Sequence, residues 1–347
     1  MAVTIPIPGI HYDNVSAWLS ANVKGAVAPF TFEQIAGGHS NLTFKVRSAD
    51  NTTVVLRRPP LGHLLASAHD MGREYKIINS LVGSNVPVPV ALGLCDDPTV
   101  NDAPFYVMEF VDGHVIRDRA SAETMLDKRA RTRASESIVD TLIAIHNVDL
   151  VTTGLADLGR HEGYIERQLK RWYSQFSAQK TRELKLVDHV HDELALRIPT
   201  QQSTVLTHGD YRLDNCMVNS AGDVIAVLDW EICTLGDPLA DLGLLMVYWT
   251  GPNDDPSGWT GESTTAEGFL NRADLAERYG RESGRDISNI GYYVAFAYWK
   301  LACIMEGVYA RYLAGALGQR EEHQLEGFKQ QVNSAAENAR ITLEGLS

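Results

Sequence analysis

The sequence predicts an α+β protein of two lobes, a β-rich one first and a mainly helical one after it. Three observations carry this. Period-two alternation of apolar residues is concentrated in the first third of the chain, helical spacing dominates beyond it, and 347 residues exceed what one hydrophobic core comfortably serves. The turn Asp112-Gly113 marks the junction, giving lobes of residues 1–111 and 112–347 with a hinge near Glu109 to Gly113.

Leu42, Phe44 and Val46 alternate along a strand, Ser48 to Asn51 form a turn, and the β-branched run Thr52 to Leu56 returns. Pro59-Pro60 ends that strand, since proline donates nothing to a ladder. Apolar spacing becomes helical from Asp70 to Leu81, and Pro87 and Pro89 stop any continuation. Pro104 to Val111 (PFYVMEFV) is a strand again. In the second lobe Ile138, Leu142 and Ile145 share one face of a helix from about Arg131 to His146, and another helix covers about Glu162 to Gln175. Two short strands follow, Thr204 to Thr207 and Val224 to Asp229. From Pro238 onward the pattern is helical apart from an irregular stretch, Gly251 to Gly261. The most apolar segment, Asn289 to Trp299, is followed by Lys300 and Glu306. It is too short and too interrupted to cross a bilayer and reads as a buried helix.

Lys plus Arg total 31 against 44 Asp plus Glu, a net charge of −13. A nucleic-acid binder needs a basic footprint, so that class is excluded, and the acidity serves solubility. The four cysteines form no CxxC pair and no disulfide framework, as expected of reduced thiols in the cytoplasm. MAVTIPIPGI has neither a basic n-region nor a long apolar stretch, so no signal peptide and no membrane association is expected. His189 and His191 have no further ligand types nearby and read as exposed helix residues, not as a metal site.

The chemistry is concentrated in LTHGDYRLDNCMVNSAGDVIAVLDW, Leu206 to Trp230. Here His208, Asp210, Asn215 and Asp229 are punctuated by apolar strands, so backbone pairing would hold them in place. Phosphoryl transfer asks a protein for positioning and charge neutralisation: one carboxylate to orient the attacking hydroxyl, and oxygen ligands for Mg²⁺, a hard cation. Asp210 and Asn215 have the D-x₄-N spacing of the kinase catalytic loop, and Asp229 ends an apolar strand where the metal-binding Asp of a kinase sits.

This segment, with GDPLADLG at Gly236 to Gly243, resembles the aminoglycoside phosphotransferase and choline-kinase-like group. The resemblance implies a protein-kinase-like fold, ATP and Mg²⁺ as cofactors, and a small-molecule hydroxyl as acceptor. It implies Asp210 as catalytic base, Asn215 and Asp229 as Mg²⁺ ligands, and His208 and Asp241 as braces of the catalytic loop. Gly37-Gly38-His39-Ser40-Asn41 stands where the phosphate-covering loop belongs, with Gly38, Ser40 and Asn41 as nucleotide contacts. In Val54-Val55-Leu56-Arg57 an arginine replaces the expected lysine, with Glu74 as its partner, and the main chain from Glu109 to Val111 would read the adenine edge. The stretch from Val54 to Gly113 resembles most the kinase-like domain associated with acyl-CoA dehydrogenases, which implies a hydroxylated acyl thioester or related metabolite as acceptor. An antibiotic kinase and a nucleotide-binding pseudokinase share the same motifs, the latter favoured by Arg57. A protein kinase does not fit, since Asp229 to Gly236 leaves almost no activation segment. Tyr292, Tyr293, Phe296, Tyr298 and Trp299 read as core, while Lys300 and Arg311 are candidates to meet an anionic phosphate of the substrate.

Overall fold

The alternation read from the first third becomes an antiparallel sheet of five strands in the order β1-β2-β3-β5-β4. The computed structural model describes residues 7–35, 41–61, 70–252, 254, 262–315 and 321–346. The chain divides into two compact units, Met1–Asp112 with Ile225–Glu231, and Gly113–Val224 with Ile232–Ser347.

In the first unit, helix α1 (Tyr12–Asn22) precedes β1 (Thr31–Gln34), β2 (Leu42–Arg47) and β3 (Thr53–Arg58). Phe44 and Val46 are buried while Lys45 between them is not, the side-chain alternation of a half-buried strand. Next come α2 (Met71–Leu81), β4 (Ala91–Cys95), the single turn α3 (Pro98–Asn101) and β5 (Phe105–Glu109). Asp70 caps α2 by accepting the Arg73 N–H at 2.9 Å. Val15 and Leu19 of α1 join Phe44, Leu56, Phe105 and Val107 in one core, and Trp18 meets Phe105 edge-on at 4.9 Å. Nothing in the sequence reading anticipated α1. Its apolar stripe is narrow, and it is made a helix by the sheet it covers.

The second unit begins with β6 (His114–Val115), α4 (Arg119–Met125), α5 (Lys128–His146), α6 (Tyr164–Gln179) and α7 (Lys185–Leu196). The strands β7 (Val205–Thr207), β8 (Cys216–Val218), β9 (Val224–Val227) and β10 (Thr234–Gly236) follow. β7 pairs antiparallel with β10, and β6 pairs antiparallel with β8. The remainder is helical: α8 (Pro238–Tyr248), α9 (Arg272–Ser283), α10 (Ile290–Leu313) and α11 (Glu322–Glu344). Tyr292, Tyr293, Phe296 and Trp299 of α10 are buried, as a core helix requires. No helix of the described residues is long and apolar enough to cross a membrane.

Three expectations need correction. The strand starting at Val224 stops at Val227, and Asp229 lies outside it with φ at 65°. His191 is not an exposed helix residue: its ring stacks on Tyr173 at 4.0 Å, while His189 is exposed. Lys300, read as a candidate contact to a substrate phosphate, is buried and gives its Nζ to the carbonyl oxygen of Gly209 at 3.0 Å.

Candidate active site

Two clusters of chemically useful side chains form, one in each unit. In the second, β7 is buried along its length and delivers His208, Gly209 and Asp210 at its end. Asp237 caps α8 through the Leu239 N–H, Pro238 fills the first helical position, and Asp241 follows one turn on. The Asp241 carboxylate, 1% exposed, accepts the His208 N–H at 2.7 Å and the Gly209 N–H at 2.8 Å. The brace expected at Asp241 therefore acts on the main chain of the loop. Burial pushes its carboxyl up, but the hydrogen bonds it accepts, from His146 and from the Gly209 N–H, outweigh that and hold it below the usual range. His146 stands 3.4 Å from Asp241 and 2.7 Å from the Tyr279 hydroxyl.

Gly209 has φ +84°, and a Cβ there would lie 3.1 Å from the carbonyl oxygen of Ile232. Only glycine makes this turn without strain, which is why the loop reads HGD. The Asp210 N–H faces His208 Nδ1 at 3.3 Å. Asn215 uses its amide nitrogen on Asp210 twice, at 2.8 Å to the carbonyl and 2.9 Å to Oδ2. Those two bonds orient Asn215 so that its own Oδ1 is an oxygen donor for a cation. The Asp210 side chain is 29% exposed, enough to meet a substrate hydroxyl. Tyr211 anchors the loop from behind through its hydroxyl to Ile138 O at 2.7 Å.

The sequence reading passed over Arg212. Its Nε lies 3.4 Å from Asp210 Oδ2 and its Nη1 3.1 Å from Asp214 Oδ2, and its guanidinium stacks 4.9 Å from the Tyr248 ring. Burial pushes the Asp214 carboxyl up, with Arg212 pulling it back. The alternation of acid and base in DYRLD was the available signal.

In the first unit Arg57 bridges two acids. Its Nε lies 3.2 Å from Glu74 Oε2 and its Nη2 2.5 Å from Asp229 Oδ1. Burial alone would lower the guanidinium pKa; Glu74, Tyr106 and Asp229 outweigh it and keep the group charged. Glu74 is 1% exposed, and burial raises its carboxyl against the pull of Arg57. Asp229 holds its left-handed backbone immediately before Trp230, which is fully buried and bonded to Val227 O at 3.0 Å. A strained backbone of this kind persists only where the surroundings fix it.

Asn41 is buried and donates to Glu231 at 3.0 Å, while its Oδ1 has no partner among the described residues. Gly38 and Ser40 lie outside the described residues. Glu109 gives its N–H to Val90 O at 2.8 Å, and Val111 lies just beyond the end of β5.

Among the described residues no three His, Cys, Asp or Glu side chains gather into a metal cage. Asn215 carries an amide oxygen and Asp229 a carboxylate, both hard oxygen groups of the kind a cation such as Mg²⁺ takes.

A family model described as "Phosphotransferase enzyme family" matches residues 31–285. Acyl-CoA dehydrogenase family member 10 of Mus musculus is 36% identical over 294 residues, 84% of this chain and 27% of that protein. The chain spans between 27% and 42% of the length of the curated relatives it matches. A candidate aminoglycoside phosphotransferase from Ralstonia eutropha is similar with a TM-score of 0.80 at 31% identity, covering 96% of this chain and 98% of the other. An amicoumacin kinase in complex with AMP-PNP, Ca²⁺ and Ami shares the fold, with a TM-score of 0.59, 15% identity and 94% of each chain covered. The fold is thus the α+β kinase-like one.

Proposed function

This chain belongs to the phosphotransferase enzyme family, and on that premise we propose that it moves the γ-phosphoryl group of ATP, with Mg²⁺, onto a hydroxyl of a small molecule. The observation that carries the proposal is the Asp210 carboxylate, partly exposed and locked by Asn215 on a loop held by Asp241. Asp210 orients the acceptor hydroxyl and takes its proton as the oxygen attacks. Asn215 and Asp229 are the proposed ligands of the divalent ion, and Arg57, paired with Glu74, the contact to the phosphates. When bound with the nucleotide, that ion neutralises charge on the phosphoryl oxygens. Asn41 and the main chain at Val111 are proposed contacts of the nucleotide. The relatives named acyl-CoA dehydrogenases direct the choice of acceptor to hydroxylated acyl thioesters.

The test is Mg²⁺-dependent ADP release across hydroxyacyl-CoAs, aminoglycosides, choline and sugars. Turnover on one class is expected, and Asp210→Ala should reduce it by roughly 10²- to 10⁴-fold while leaving ATP affinity nearly unchanged. Turnover retained in that variant would remove Asp210 from the role. A second reading has one observation behind it: Arg57 engages Asp229 directly, as in a nucleotide-binding module without transfer. ATP binding with no ADP release on any acceptor would favour it.

A further inference from the structure

Helix α10 carries the run AFAYWKLAC through the interior, and Lys300 interrupts it. Its neighbours Trp299 and Leu301 are buried, and Lys300 itself is only 8% exposed. An ammonium in such a place is strongly unfavourable without a partner, and an apolar side chain would fill the position with no desolvation cost. Its Nζ donates to the carbonyl oxygen of Gly209 at 3.0 Å and stands 5.5 Å from the Trp172 ring.

That carbonyl belongs to the peptide unit joining Gly209 to Asp210. The N–H of the same glycine is taken by Asp241 at 2.8 Å. Gly209, held in its left-handed conformation, is therefore gripped from both sides by ionic groups, a carboxylate on its N–H and an ammonium on its carbonyl. We propose that Lys300 is a positioning residue for Asp210, fixing the plane of the Gly209–Asp210 peptide through its bond to the Gly209 carbonyl. This rests on the phosphotransferase reading above. Burial depresses the Lys300 ammonium, and Asp210 and Asp241 both favour its charged form.

The full chain with Lys300→Met and with Lys300→Arg tests this, Met keeping the unbranched stem without charge or donor. In Lys300→Met, kcat for Mg²⁺-dependent ADP release should fall by at least about tenfold with KM for ATP unchanged, whereas Lys300→Arg should recover part of the rate. Amide exchange at Gly209 to Tyr211 should quicken by about tenfold in Lys300→Met and far less in Lys300→Arg. A Lys300→Met protein with the kcat and loop exchange of the parent would overturn the proposal. Should Lys300→Met not fold, Lys300→Gln removes the charge and shortens the stem: a lowered kcat with faster exchange at Gly209 to Tyr211 supports the proposal, and parental values of both overturn it. If the parent protein releases no ADP with any acceptor, the phosphotransferase reading has failed, and the exchange rates alone decide whether Lys300 fixes the loop.

Discussion

Arg57 donates from two nitrogens to two carboxylates, Nε to Glu74 and Nη2 to Asp229. Lysine has one nitrogen on a flexible stem and does not span such a pair in a fixed plane, so arginine here is a different device and not a conservative stand-in. With both Arg57 and Glu74 largely buried, removing only the cation leaves an uncompensated charge. Arg57→Met should cost ~3–5 kcal/mol in chemical denaturation, and adding Glu74→Met should restore most of it. A single variant costing less than about 1 kcal/mol would refute this account. Asp229→Asn keeps a residue type that tolerates positive φ while removing the charge. Calorimetry should show its ATP affinity losing its Mg²⁺ dependence. Burial lowers the pKa of His146 against the pull of Asp241, so the ring stays neutral in the fold and takes up a proton on unfolding. Stability is then full above the ordinary imidazole value of 6.5 and falls as pH drops below it. The thermal midpoint should fall from about pH 7.5 to about pH 5.5, and less steeply in His146→Phe. At this scale spacing foretold which groups meet: Asn215 bonds Asp210, and Asp241 bonds the main chain of the same loop. The bond from Lys300 to Gly209 was not legible, because its partner lies 91 residues away and leaves no local pattern.

The motif GDPLADLG becomes, at the level of elements, a strand end, a capped helix start and a contact surface. Gly243 lies where α8 meets α10, and a Cβ there would come within 2.6 Å of the Tyr293 backbone carbon. Leu244 and Val247 on α8 pack with Ala297 and Leu301 on α10. Gly243→Ala should force these helices apart and cost roughly 1–3 kcal/mol, measured by urea unfolding. An unchanged midpoint would show that the helices yield without loss. Long elements with clear periodicity were predicted nearly to their ends: the helix expected from about Arg131 to His146 runs Lys128–His146, and the one expected from Asp70 starts at Met71 with Asp70 as cap. β6, β8 and β10 span two or three residues each, too few to display a period, and their pairing comes from distant partners.

The whole molecule is not two consecutive blocks of chain. Residues Ile225–Glu231 belong with Met1–Asp112, although the second unit's first 112 residues, Gly113–Val224, lie between them in sequence. That short segment carries Asp229, which closes the ion triad on Arg57, and Glu231, which holds Asn41. Residues 1–112 expressed alone should therefore lack a cooperative thermal transition, and joining residues 225–231 to them through a flexible linker should restore one. All four cysteines are buried, and burial pushes the Cys216 thiol up to about 12. A thiol reagent should thus find none of the four in the native chain and all four in denaturant. A sequence reading by contiguous stretches had no means of assigning a strand after Val224 to the first unit, because membership is set by contacts and not by order.

The same discontinuity sets a clock during synthesis. A ribosome adding about 5–20 residues per second needs roughly 6–22 s to pass from Asp112 to Ile225. Throughout that interval the nascent first unit carries Arg57 and Glu74 without Asp229, although all five strands of its sheet have been made. A codon-level slowing between these points would lengthen the time for which the buried Arg57–Glu74 pair stands without its third member.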